Sequence, residues 1–316
     1  MVTRRNFLKK AGLAASALAM GNVSPLSSMG QGSQIIGANR KVNLACVGIG
    51  YRGADIIKEF EKTGLANIVA LCDVDMGAKH TQEIISKFPK AKRFKDFREM
   101  FDKMGNEIEA VSVGTPDHAH FPTCMMALAL DKHVYVEKPM SRTFYETELM
   151  MQAARKHPKA VTQVGNQGHS EANYFQFKAW KEAGIIKDVT EVVAHMNSPR
   201  RWHGWDTNIS KLPEGQPIPQ GMDWDTWLMA VPYHDYSDKY HHGNWRCWYD
   251  FGMGALGDWG AHIIDTVHEF LDLGLPYEVN PIMLEGHNDY FFPMSSTIQF
   301  RFPRRGDMPP MDITWY

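Results

Sequence analysis

Beyond residue 40, short apolar runs alternate with stretches whose apolar residues recur at helical spacing. Residues 42–47 are mostly apolar and of strand length, a pattern suited to a strand buried on both faces. They run into Gly48-Ile49-Gly50-Tyr51-Arg52-Gly53, after which Ile56, Ile57 and Phe60 mark one face of a helix. A second strand-like run, 68–72, ends in Asp73. The alternation continues through 110–113, a helical stretch to about residue 130, and strand-like runs at 133–136 and 160–164. Strand and helix in turn predict an α/β domain with a doubly wound parallel sheet of the Rossmann kind over residues 40–160. Residues 161–316 predict a second domain of α+β type, with further strand-like runs at 296–302 and 311–316.

The first 39 residues stand outside this pattern. Arg4-Arg5 opens a twin-arginine signal, followed by a weakly apolar stretch and by Ala17-Leu18-Ala19, a small-residue cleavage pattern. The apolar run is too short to cross a bilayer. Residues 22–39, rich in Ser, Gly and Gln, read as linker. Export to the periplasm by the twin-arginine route, which carries folded proteins, is therefore expected. The 34 basic and 36 acidic residues leave a net charge of −2, which offers nucleic acid or an anionic membrane nothing to attract. The expected partner is a small molecule. Cys46, Cys72, Cys124 and Cys247 lack metal-binding spacing and are expected as buried free thiols with no disulfide.

A G-x-G-x-x-G string with a strand before it, a helix after it and an acid at the end of the next strand is the fingerprint of dinucleotide binding. Gly48 permits the tight turn, Gly50 lets backbone N–H groups approach a pyrophosphate, and Gly53 lets helix and strand pack closely. Ile49 and Arg52 complete the loop. Asp73 can accept hydrogen bonds from ribose hydroxyls and repels a 2′-phosphate, which favours NAD over NADP, with Arg52 pulling the other way. Thr115-Pro116-Asp117-His118 and Glu137-Lys138-Pro139 both follow strand-like runs, where open parallel sheets place their ligands. Thr115, Pro116, His118 and Glu137 are accordingly candidate cofactor contacts.

These motifs together resemble the Gfo/Idh/MocA family of sugar and inositol dehydrogenases, over roughly residues 40 to 270. The resemblance implies that Lys138 reaches both the reacting hydroxyl and the nicotinamide, and that a cis peptide bond precedes Pro139. It also implies a second domain built on an open, mostly antiparallel sheet that can serve homo-oligomer formation. Family chains continue well past residue 316, so this one reads as a fragment ending in mid-strand.

Seven of the nine tryptophans lie between Trp202 and Trp259, with His203, His234, His241 and His242 among them. Aromatic faces beside hydroxyl-binding groups suit a sugar cleft, and they equally suit the core of an irregular insertion. Between residues 258 and 271, Ile263, Ile264, Val267, Phe270 and Leu271 share one helical face, while Asp258, His262, Asp265 and Glu269 share the other. Asp258 and His262, four apart, are side-chain neighbours, and a carboxylate beside an imidazole suits a general base. The family resemblance implies the same pair, completing a catalytic set of Lys138, Asp258 and His262. A metal held by that pair with His203, His241 or His242 is the competing reading, and no closed ligand set supports it.

After the run 160–164 come Asn166, Gln167 and His169, neutral hydrogen-bonding groups where relatives carry arginines. They favour a neutral sugar or glycoside. Asn166, His169, Trp245, Arg246 and Asp265 are the candidate substrate contacts. Outside the cytoplasm no NAD pool exists, so an exported dehydrogenase is expected to hold its cofactor tightly and recycle it. Two other classes stay open: a glycosidase working by oxidation, elimination and reduction, and a non-catalytic sugar-binding module.

Overall fold

The computed structural model describes residues 40–196, 206–241 and 243–316. The twin-arginine segment and linker, Trp202, His203, Trp205 and His242 lie outside the described residues.

Strands and helices alternate from the start: β1 (Val42–Val47), α1 (Arg52–Lys62), β2 (Ala66–Cys72), α2 (Lys79–Lys87), β3 (Lys92–Phe94), α3 (Phe97–Met104), β4 (Ala110–Val113), α4 (Asp117–Ala129), β5 (His133–Glu137), α5 (Phe144–Lys156) and β6 (Thr162–Gly165). The sheet order is β3-β2-β1-β4-β5-β6, with every pairing parallel. β1 shows why both faces must be covered. Leu44 and Cys46 join one apolar cluster with Ile57, Leu71, Ile84 and Ile85, while Ala45 and Val47 join another with Phe97, Met100, Val111 and Leu128. Side-chain alternation along a strand separates the two sets, and helices cover each. Asp96 caps α3 by accepting the Arg98 N–H, and Thr143 and Glu146 form a capping box on α5. The sheet takes in β6, so the Rossmann unit extends to Gly165, beyond the expected boundary at 160.

The remainder comprises α6 (Ala172–Glu182), β7 (Glu191–Ala194), α7 (Trp224–Leu228), α8 (Gly254–Ile263), α9 (Asp265–Phe270), β8 (Glu278–Glu285), β9 (Ser295–Phe302) and β10 (Met311–Trp315). The second sheet runs β7-β10-β9-β8, with β7 parallel to β10 and the other two pairings antiparallel. The single helix expected through residues 258–271 is broken at Ile264 into α8 and α9. Ile263, Ile264, Val267 and Leu271 still pack on the sheet beside Ile313 and Trp315. Phe270 departs from that face and stacks on Phe177 of α6.

A third apolar cluster gathers Trp224, Trp227, Tyr236, Tyr240, Trp245, Trp248, Phe251 and Phe291. All four described tryptophans from Trp224 to Trp248 therefore belong to this core, as one of the two sequence readings held. All four cysteines are buried free thiols. Among the described residues no helix is long and apolar enough to cross a membrane.

Candidate active site

Strand order reverses between β1 and β4, and such a switch opens a crevice at the carboxyl ends of the strands. Gly48, at φ +77°, turns the chain there, and a Cβ on it would lie 2.7 Å from the Thr115 nitrogen. A Cβ on Gly53 would lie 2.0 Å from the Gly48 carbonyl oxygen, so only glycine lets α1 begin so close to the turn. Asp73, just past β2, accepts hydrogen bonds from the Ile49 and Asp75 N–H groups, both at 3.0 Å. Burial pushes its carboxyl up, and those two N–H groups pull it back. The Ile49 side chain is wholly buried, so only its backbone serves the loop. An open helix N-terminus beside a tethered carboxylate fits a dinucleotide, with its pyrophosphate at Gly50 and a ribose at Asp73.

At the end of β5, the Lys138–Pro139 peptide is cis. The Lys138 Nζ donates to the Asp258 Oδ1 and to the Asp258 carbonyl oxygen, both at 2.7 Å. Asp258 is buried on α8, and the Arg246 Nε lies 3.8 Å from the same Oδ1. Arg246 itself rests over the Trp245 ring, 4.2 Å from its centroid. His262 sits one turn after Asp258 with its ring against Trp259. Burial, and then the Lys138 charge, hold the His262 imidazole below the usual histidine range. Glu137 is buried and receives the Arg52 Nε at 3.0 Å, which engages the loop arginine at the base of the cleft. These groups line one cavity of about 550 Å³, together with Gly50, Asp73, Thr115, Pro116 and Trp227.

The structure thus brings Lys138, Asp258 and His262 into one cleft with Gly48, Gly50, Arg52, Asp73, Thr115, Pro116, Glu137, Trp245 and Arg246. It does not bring His118 there. That ring is buried among Trp227 and Phe251, and its Nε2 lies 2.7 Å from the Trp227 carbonyl oxygen. Burial drives it down to about 3, so it stands as a neutral packing group. Asn166 donates from its Nδ2 to the Ala261 carbonyl oxygen at 2.8 Å, joining β6 to α8. His169 bonds Asp265 and faces Glu269, forming a separate cluster outside the cavity lining. From that segment it is Gln167 that reaches the cavity.

Three further residues enter the site, Asp117 and His120 from the polar cluster after β4 that was expected to line the cleft, and His80 without having been singled out. His80 stacks on Tyr51 with centroids 4.6 Å apart and lies over Gly50, where a Cβ would come within 2.2 Å of its ring. His120 has its ring nitrogens 2.7 Å from the Pro139 and 2.9 Å from the Thr115 carbonyl oxygens, pinning the two turns together. Asp117, at the first position of α4, is a buried carboxyl that lines the cavity. Among the described residues no group of three His, Cys, Asp or Glu side chains could hold a metal ion.

A parallel sheet in this strand order, with a glycine cradle facing a Lys–Asp–His cleft, defines a nicotinamide-dinucleotide-binding oxidoreductase fold. The chain belongs to the Gfo/Idh/MocA oxidoreductase family: the family's NAD-binding Rossmann fold matches residues 42–165 and its C-terminal alpha/beta domain matches residues 180–290. The inositol 2-dehydrogenase of Salmonella paratyphi B is 27% identical over 170 residues, 53% of this chain and 46% of that protein. A glycosyl hydrolase family 109 protein of Shewanella amazonensis is 28% identical over 159 residues, 46% of this chain and 35% of that protein. This chain therefore spans less than half the length of either relative in the matched region. The WlbA dehydrogenase of Bordetella pertussis, solved in complex with NADH and UDP-GlcNAcA, superimposes with a TM-score of 0.61. It is 16% identical and covers 87% of this chain and 72% of that one.

Proposed function

We propose that this protein is an NAD-dependent oxidoreductase that acts on a ring hydroxyl of a neutral sugar or glycoside. The carrying observation is the Lys138 amine, fixed by two 2.7 Å hydrogen bonds to Asp258 at the mouth of the glycine-loop cleft. A bound nicotinamide would supply the two-electron acceptor. The protein's own groups do the rest. The Lys138 amine, held by Asp258, hydrogen-bonds the reacting oxygen and stabilises the negative charge it gathers. His262, kept neutral by burial, takes the hydroxyl proton. Trp227, Trp245 and Trp259 add apolar surface to the cavity wall that a sugar ring would meet. Asp73 at the ribose position, and an Arg52 already paired with Glu137, favour NAD over NADP. Incubating the protein with NAD⁺ and a panel of neutral sugars, and following absorbance of NADH, tests the reading. No turnover across hexoses, inositols and methyl glycosides would sink it.

The Arg4-Arg5 segment supports export of the folded protein to the periplasm, with the dinucleotide carried along and recycled. Mass spectrometry of protein purified from that compartment is expected to find one bound dinucleotide per chain. The likeness to a glycosyl hydrolase family 109 protein favours a second reading, in which oxidation is followed by elimination and re-reduction. Aryl glycosides separate the two, because release of the aglycone without net NADH belongs only to the cycle.

A further inference from the structure

The cavity holds one acidic group that the proposed chemistry leaves unused. Asp117 opens α4 immediately after Pro116, which has no side chain able to cap the helix. The residue is 5% exposed and lines the cavity. The charges that act on it are those of Arg246, Asp258, Lys138 and Arg142. They come from the turn after β5 and from the second domain. The flanking geometry agrees: the His118 N–H donates to the Phe251 carbonyl oxygen at 3.2 Å and the His120 ring lies 2.7 Å from the Pro139 carbonyl oxygen, so Asp117 stands between the second domain and the turn that carries Lys138.

We propose that Asp117 binds the substrate directly, hydrogen-bonding a second hydroxyl of the same ring whose first hydroxyl meets Lys138. This rests on the oxidoreductase reading above. The charge pattern selects the ligand's chemistry. An ammonium group would be repelled by Lys138 and Arg246. A neutral hydroxyl both donates and accepts, so it can meet the Asp117 carboxyl in either protonation state. Burial also pushes the Asp117 carboxyl up to about 8, which makes it a donor as well as an acceptor at neutral pH. A site built to bond a hydroxyl discriminates strongly against a ligand that lacks it, because its own polar group is then left buried and alone.

The test uses full-length protein with NAD⁺, methyl β-D-glucopyranoside, its four monodeoxy analogues and myo-inositol. Wild type is expected to lose about 100-fold in kcat/KM at one position besides the oxidised one. Asp117→Ala is expected to lose about the same on the parent glycoside, to bind NADH as wild type does, and to be indifferent to that one deoxy change. Asp117→Asn, of the same shape and still hydrogen-bonding, is expected to recover most of the activity and guards against misreading a folding defect. An Asp117→Ala protein that keeps the wild-type deoxy profile overturns the inference, as does one whose loss lies in NADH binding. Failure of wild type to turn over any of these sugars overturns the underlying reading instead, and this inference with it.

Discussion

The two walls of the cleft are built by different means. On the Rossmann side the cradle is mostly backbone: a glycine turn, a helix N-terminus and the ends of parallel strands, with the Asp73 carboxylate tied to the turn by the Ile49 N–H. On the other side the contacts are side chains from distant segments, as with Lys138 and Asp258, which are 120 residues apart. A backbone site is insensitive to most side chains yet is destroyed by one added carbon. A side-chain site fails by removal and leaves the opposite wall intact.

Gly53→Ala should show the first half of that contrast at its strongest. Its Cβ would stand 2.0 Å from the Gly48 carbonyl oxygen, and backbone cannot swing aside as a side chain does. NADH affinity, read by fluorescence titration, is expected to fall by at least about 100-fold, equivalent to roughly 3 kcal/mol. Unchanged affinity would mean the glycine turn is not what holds the cofactor. Lys138→Met is the mirror experiment: NADH binding within about threefold of wild type, with kcat/KM down about 1,000-fold. It also takes from the buried Asp258 carboxylate the nearer of its two positive partners, which costs up to about 3–5 kcal/mol of stability. Adding Asp258→Asn to it should return the stability seen in urea unfolding while leaving activity lost, which separates the chemical role of the lysine from its structural one.

His262→Gln sharpens the comparison within the side-chain wall, with an expected loss of about 100-fold or more in kcat/KM. A base at His262 would work only when neutral, and burial beside Lys138 lowers the pH at which His262 takes a proton. Wild-type activity should therefore persist somewhat below the ordinary histidine range before its acid limb falls. In the variant that limb should flatten. A limb that survives in His262→Gln would assign the proton to another group.

The same contrast explains what could be read from the chain. The glycine string, Asp73, and Glu137-Lys138-Pro139 are local in sequence, and each has one structural context that makes sense of it. Asp258 and His262 were legible as neighbours because a helix places residues four apart on one face. That Asp258 holds Lys138 follows from how α8 lies against the end of β5, and no spacing along the helix encodes such a contact. Asp117, His118 and His120 show the limit most clearly. At about 100° per residue on α4, positions 118 and 120 face different surroundings, one the aromatic cluster and the other the turns after β4 and β5. Nothing in the string of residues says which surroundings face the cofactor. The tryptophans pose the same problem, since their number signals an aromatic environment without saying whether a ring meets ligand or core.

His118, expected at the cofactor and found in the aromatic cluster, gives the smallest effect and the finest probe of where the two regions join. Its ring ties α4 of the Rossmann unit to Trp227 and Phe251 of the second. Burial depresses its pKa from 6.5 to about 3. Between those values the unfolded chain binds a proton that the folded protein refuses, so stability is full above pH 6.5 and declines as pH falls. From pH 7 to pH 5 the loss attributable to this one ring is about 2 kcal/mol. His120, also held down by burial, adds to the slope in the same direction. His118→Gln removes the titration yet can still donate to the Trp227 carbonyl. Its unfolding free energy should therefore fall by about 2 kcal/mol less than wild type over that interval, with NADH binding at pH 7 unchanged. Equal slopes in the two proteins would mean that water reaches His118, and that the junction between the backbone-built and side-chain-built walls is looser than its packing indicates.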